Sequence, residues 1–269
     1  MAQRQRVDPV SRTDLRLPGF GCDDEPVNAV EFVECPAGGR QVEATRRVRL
    51  GDVSASGRLR LDALAAYLQD VAADDVDEVG IPGAWVLRRV VLRLGELPRF
   101  REDARLVTFC SGTGSRWAER RTTVFVGARV AVESVALWVY IDESGRPAPL
   151  EEWFRQFYAV AANDRKVSGR LRHGPPPADA SRRAWLLRTT DFDVLAHVNN
   201  AASWHAVEEE IARVAKGRRL TGAEIEYRAP IDPEDKLDLV TEVATDQLSC
   251  WLMCGEEVRV SAAVQLDTS

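Results

Sequence analysis

The chain has 269 residues and a mass of 29.9 kDa, with 45% hydrophobic and 29% charged residues, which excludes collagen-like repetition and disorder throughout and fits one large or two smaller domains. Acidic residues outnumber basic ones by 42 to 36, a formal charge of −6 that argues against general nucleic-acid binding. No uninterrupted apolar run is long enough for a membrane span, since the most apolar segment, Val130 to Ile141, is broken by Glu133 and Ser134.

The N-terminus, MAQRQRVDPVSRTD, carries basic residues without a following apolar run, so it does not read as a secretory signal and the expected compartment is the cytoplasm. The five cysteines (Cys22, Cys35, Cys110, Cys250, Cys254) are odd in number and lack CxxC spacing. That favours neither a disulfide framework nor a structural zinc site, and no metal or redox cofactor is expected. Residues 1–40 are dotted with Pro and Gly and read as an irregular extension.

A first block, 41–162, begins with a strand-like segment at Arg46 to Gly51. A helix is predicted over Leu61 to Val79, where Leu61, Leu64, Ala65, Leu68, Val71 and Ala72 share one face and Gly80 and Pro82 end it. Four strands follow, at Trp85 to Leu94, Arg105 to Cys110, Trp117 to Val126 and Val130 to Ile141. Residues 163–182 are polar, basic and proline-rich, the composition of a linker, and His173 is expected to be exposed there.

The second block, 183–269, repeats the order. A strand at Trp185 to Thr189 precedes a polar turn and a helix carrying Trp204, Val207, Ile211, Val214 and Ala215, with Gly217 as its stop. Strands follow at Ala223 to Arg228, Lys236 to Val243, Leu248 to Cys254 and Glu257 to Leu266. One strand, one helix and a run of strands, twice over, predicts an α+β fold in which each long helix lies on an antiparallel sheet.

Chemistry concentrates in Thr189 to Asn200, between the opening strand and helix of the second block. Asp193 and His197 lie four residues apart there, in a loop leading to a helix start whose free N–H groups can hold a developing negative charge. A carboxylate, an imidazole and an oxyanion-binding helix end are what acyl transfer requires. The same residue types also make ordinary helix caps, and a histidine here equally suits a buried hydrogen-bonded role.

The run DFDVLAHVNN, followed by Trp204 and by Glu208 and Glu209, resembles the D-x-D-x-x-x-H-V-N-N signature of hot-dog-fold thioesterases, and above all the acyl-acyl-carrier-protein thioesterases. TFCSGTGSRWAERRTTV at Thr108 to Val124, SVALWVYIDESGRPAPL at Ser134 to Leu150 and IEYRAP at Ile225 to Pro230 extend the resemblance over about residues 41 to 269. It implies a tandem (double) hot-dog in which the first repeat shapes an acyl pocket and the second supplies the catalytic residues. By position, Asp193 and His197 match the family's catalytic aspartate and histidine, with Val198, Asn199 and Asn200 at the oxyanion-binding helix start. The implied reaction is hydrolysis of fatty acyl thioesters of acyl carrier protein. A coenzyme A thioesterase and a non-hydrolytic acyl-thioester-binding protein are the alternatives.

Two positions depart from the plant-type pattern. A catalytic Asn is replaced by Leu195, and a Glu-Cys pair by Pro230 and Ile231. Three further groups are weighed. Glu208, Glu209 and Glu210 are expected to form a solvated helix face, although Glu209 matches a family Glu. Cys110, Cys250 and Cys254 are expected to fill core. Arg88, Arg89, Arg93, Arg99, Arg101 and Arg105 are either solvated strand edges or a docking patch for an acidic carrier or for coenzyme A phosphates.

Overall fold

A computed structural model describes residues 30–80, 84–142 and 144–267; most of the irregular extension, with Cys22, and Pro82 lie outside the described residues. Ten strands form one sheet: β1 (Val42–Arg47), β2 (Ala84–Leu94), β3 (Asp103–Thr113), β4 (Trp117–Val126), β5 (Arg129–Ile141), β6 (Ser181–Trp185), β7 (Leu220–Tyr227), β8 (Leu237–Val243), β9 (Gln247–Cys254) and β10 (Glu257–Leu266). Three helices accompany them: α1 (Leu61–Val79), α2 (Glu152–Ala162) and α3 (Trp204–Val214). The α+β expectation holds. No helix among the described residues is long and apolar enough to cross a membrane.

The strand order is β1-β3-β4-β5-β2-β7-β10-β9-β8-β6, with every neighbouring pair antiparallel. Read outward from the β2–β7 junction, each half has the same order: β2, β5, β4, β3, β1 on one side and β7, β10, β9, β8, β6 on the other. The junction pairs Arg89 with Glu226, Val90 with Ile225 and Leu92 with Ala223, so the halves are continuous through backbone hydrogen bonds.

One apolar core spans the junction. It takes Leu64, Leu68 and Val71 from α1 and Trp204, Val207 and Ile211 from α3, which pack with the sheet residues Val90, Ile225, Leu239 and Leu252. The spacing that predicted α1 is its buried stripe, and Gly80 ends the helix in the left-handed region at φ 68°, its N–H donating to Val76 O at 3.0 Å. The helices are also joined by polar contacts. Glu208 of α3 receives two hydrogen bonds from Arg58, each 2.8 Å, and one from the Leu61 N–H at 2.6 Å.

The structure corrects the predicted opening strands in both halves. They end earlier than expected, at Arg47 and Trp185, because a tight turn follows each: Arg49 N–H donates to Asp52 Oδ2 at 2.7 Å, and Arg188 N–H to Asp191 Oδ2 at 2.8 Å. The apolar pattern that suggested extended chain belongs partly to those turns. Helix α2 was missed because it sits next to the polar segment read as linker. Its Phe154, Tyr158 and Ala162 pack on Cys110, Ala118 and Leu150, against Val76 and Val79 in the last turn of α1.

Residues 163–180 run as a strap bonded to the sheet rather than as a free connection. Thr113 and Val167 exchange backbone hydrogen bonds with the strap and the sheet, the Trp117 indole donates to Val167 O at 2.8 Å, and the Trp251 indole donates to Gly174 O at 3.0 Å. Its basic composition answers an acidic row on the strands. Arg165 pairs with Glu119, while the Arg172 and His173 N–H groups donate to Glu226. His173 is accordingly covered, at 15% side-chain exposure, with Nδ1 3.0 Å from Ser261 Oγ.

Of the three glutamates in α3, only Glu209 is solvated. Glu210 is fully buried between Arg183 (2.8 Å) and Arg213 (2.5 Å), whose hydrogen bonds outweigh the upward push of burial and hold its carboxyl below the usual range. Replacing Glu208 with Ala strips Arg58 and the Leu61 N–H of their acceptor. The expected outcome is a loss of about 2 kcal/mol in urea unfolding, against a near-neutral Glu209→Ala.

Candidate active site

The loop before α3 repeats, bond for bond, the loop before α1. Asp193 N–H donates to His197 O (3.0 Å), Ala196 N–H to Asp193 O (3.0 Å), Val198 N–H to Ile231 O (3.0 Å) and Asn199 N–H to Asp191 O (2.8 Å). In the first half Ser54, Gly57, Leu59 and Arg60 donate to Arg58 O (2.8 Å), Ser54 O (2.8 Å), Pro98 O (2.7 Å) and Asp52 O (2.9 Å). The correspondence sets Ser54 against Asp193, Arg58 against His197 and Leu61 against Asn200. Ala196 takes a left-handed φ of 61° where the first half uses Gly57 at φ 79°.

Within this frame the Asp193 carboxylate accepts the Leu195 N–H at 2.9 Å and lies 3.5 Å from Asn199 Nδ2. Asn199 also acts as a cap, its Oδ1 accepting the Ala201 N–H at 2.9 Å. His197 meets Asp232 across the loop, with Nε2 3.4 Å from Asp232 Oδ1. Asp232 is the acidic residue that sequence reasoning missed. It lies one position beyond Ile231, and only the turn after β7 brings it to the histidine. The Leu195 and Ile231 side chains take no polar role: Leu195 is exposed, and Ile231 is buried in the core.

The amide expectation narrows. Val198 and Asn199 are already committed as donors, to Ile231 and Asp191, which excludes them as free oxyanion donors. Among the described residues the Asn200 N–H has no protein acceptor, and Tyr227 fixes the Asn200 peptide by donating to its carbonyl at 2.9 Å. The equivalent N–H in the first half, that of Leu61, carries the Glu208 carboxylate.

Asn200 opens a crevice of ≈ 460 Å³, open solvent at its mouth included. Ala65, Leu68 and Ala72 of α1 form one wall and Leu87, Val90 and Leu92 of β2 another; Arg120, Thr122, Ser134 and Trp138 come from β4 and β5. The crevice therefore joins the motif of the second half to the interior of the first.

Other sequence candidates lie elsewhere. Burial pushes the Cys110 thiol up to about 11 and the Cys250 thiol up to about 12, so both are inert core residues. The six arginines do not make one cationic patch. Arg89 is buried against Glu224, Arg88 donates to Arg228 O, and Arg93 and Arg105 pair with Glu133 and Glu43. One convergence of metal-ligand types, His173 with Glu224 and Glu226, is held by Ser261, Arg89 and Arg228, and serves as an ion-pair network.

Models of the acyl-ACP thioesterase N-terminal domain and C-terminal domain match residues 39–158 and 176–265. The chain belongs to the acyl-ACP thioesterase family. It is thus a thioester hydrolase acting on acyl chains carried by acyl carrier protein (ACP). An uncharacterised protein of Mycobacterium tuberculosis is 24% identical over 238 residues, 87% of this chain and 95% of its own. Among solved structures, an acyl-ACP thioesterase from Bacteroides thetaiotaomicron superposes with a TM-score of 0.73 at 17% identity, covering 84% of this chain and 98% of its own. The 12:0-ACP thioesterase from Umbellularia californica gives 0.73 at 17%, covering 84% and 97%. At these identities the likeness is one of fold.

His205, on the first turn of α3, bridges the halves beside this site, with Nε2 3.5 Å from Asp62 and Nδ1 3.6 Å from Asp191. Hydrogen bonding to Asp62 raises the His205 pKa. Burial alone would raise the Asp62 carboxyl, but hydrogen bonds from His205 and Arg60 win and hold it at about 2. The stability from a raised imidazole is complete below its unfolded value of 6.5 and fades as pH climbs through the folded one. His205→Asn should lower Tm more at about pH 5.5 than at about pH 9. Equal losses at both pH values would contradict the pairing.

Proposed function

We propose that the chain is a double hot-dog, with repeats at 41–162 and 183–269, which hydrolyses fatty acyl-ACP in the crevice that starts at Asn200. In this reading the acyl chain lies between α1 and β2, and the thioester carbonyl rests at the Asn200 N–H. Asp193, oriented by the Leu195 N–H and Asn199, takes a proton from a water whose oxygen attacks the carbonyl carbon. The oxyanion forms against the Asn200 N–H at the helix start. His197, steadied by Asp232, polarises the carbonyl and orients the water. Collapse breaks the C–S bond, and the proton held by Asp193 goes to the departing thiolate.

The observation that carries this reading is the pair of matching sockets. In the first half, the Leu61 N–H and Arg58 grip the carboxylate of Glu208. The matching N–H in the second half, that of Asn200, has no protein acceptor among the described residues, and Asn200 lines the crevice, while the matching side chain, His197, meets Asp232 instead. A socket whose geometry binds a carboxylate in one half suits the oxyanion of a tetrahedral intermediate in the other.

Removing a positioned base costs about 10² or more in rate. Asp193→Asn should therefore lower kcat on acyl-ACP by at least about 100-fold with Tm unchanged. Asp232→Asn acts through the histidine and should produce a smaller loss, about tenfold, together with an altered pH–rate profile. A folded Asp193→Asn protein that keeps near wild-type turnover would remove Asp193 from the mechanism.

A further inference from the structure

The crevice is not uniformly apolar. Among the groups that line it, Gln69 Oε1 and Trp138 Nε1 are buried without any hydrogen-bond partner, a costly state for an amide oxygen and an indole N–H. Trp204 Nε1 is a third such atom. Beyond them the wall from β4 and β5 is polar as well. Thr122 and Ser134 are buried and paired in register across the two strands. Arg120 sits beside them, bound to Asp75 and, at 3.3 Å, to Thr108 Oγ1.

Trp138 is placed in the interior of this path. It lies on β5, opposite Leu87 of β2, and β2 in turn separates β5 from β7, where Tyr227 fixes Asn200. Two inter-strand spacings of about 4.8 Å put it roughly 10 Å across the sheet from the reacting end. A plain hydrocarbon chain reaching that depth would leave both orphan groups unsatisfied and press methylenes on the Thr122 and Ser134 hydroxyls. A hydroxyl there can accept from the Trp138 indole or donate to the Gln69 oxygen, pairings that a methylene cannot make.

We propose that the preferred substrates are acyl chains bearing a hydroxyl remote from the thioester, received by Gln69 and Trp138. The inference rests on the crevice being the acyl site of the thioesterase reading. A site built to hydrogen-bond a substrate hydroxyl discriminates strongly against the analogue that lacks it, because its own polar groups are then stranded.

The test compares three acyl-ACPs of equal chain length on the intact protein: unsubstituted, hydroxylated at the β-carbon, and hydroxylated mid-chain. The mid-chain form should have a kcat/KM about tenfold or more above the unsubstituted one. Equal values, preference for the unsubstituted chain, or preference for the β-hydroxy form would overturn the proposal while leaving the thioesterase reading intact. Hydrolysis of none of the three would count against that reading instead. The affinities of the three free acids, measured by calorimetry in parallel, then decide the hydroxyl preference: tighter binding of the mid-chain hydroxy acid supports it, and equal binding ends it. Gln69→Leu and Trp138→Phe should each bring the mid-chain to unsubstituted ratio towards one. The wild-type comparison stands if either variant fails to fold.

Discussion

The pairing of β2 with β7 is the contact on which the molecule depends. Either half alone would end in an open edge of unpaired N–H and C=O groups, an aggregation liability. Bonding the two edges to each other, with Arg89 facing Glu226 and Val90 facing Ile225, satisfies both and makes a single sheet. It also sets α1 and α3 side by side on one face, close enough for Asp62 to reach His205 and Arg58 to reach Glu208. The crevice, lined from both halves, exists only because that junction does.

The strap over the other face solves a second problem of the same sheet. Glu119, Glu224, Glu226, Arg89 and Arg121 project from the strands as charged groups with little exposure, and each needs a partner there. Some pair across strands, as Arg89 does with Glu224 and Arg121 with Glu133, and the strap supplies the rest through Arg165 and the backbone of Arg172 and His173. The opposite side of β4 and β5 carries Thr122 and Ser134, both buried.

Much of this was legible in the sequence because it is periodic. The stripe of α1, the apolar residues of α3 and the alternation of β10 are each set by local spacing, and the repeat of element order foretold the repeated half. What was hidden depends on partners distant in the chain. The strap looked like a linker because its basic residues were read without the acidic row they cover. Asp193 and His197 were visible through their spacing and their company of Asn residues. Asp232 was not, since only the Val198 to Ile231 hydrogen bond fixes the turn that carries it to His197. The commitment of the Val198 and Asn199 amides is likewise a matter of hydrogen-bond partners, which residue types alone do not reveal.

The repeated loop has a consequence for how the two halves can change. In an assembly of identical subunits every substitution appears twice, so an acid introduced to plug one anion socket would plug both. Here Glu208 binds the Leu61 N–H of the first socket, the matching Asn200 N–H carries no carboxylate among the described residues, and Ser54 stands where the other half has Asp193. Both sockets belong to one polypeptide, and the crevice between them is lined by residues of both halves. A substitution in one half therefore leaves the other unchanged, and each half is free to drift towards its own task.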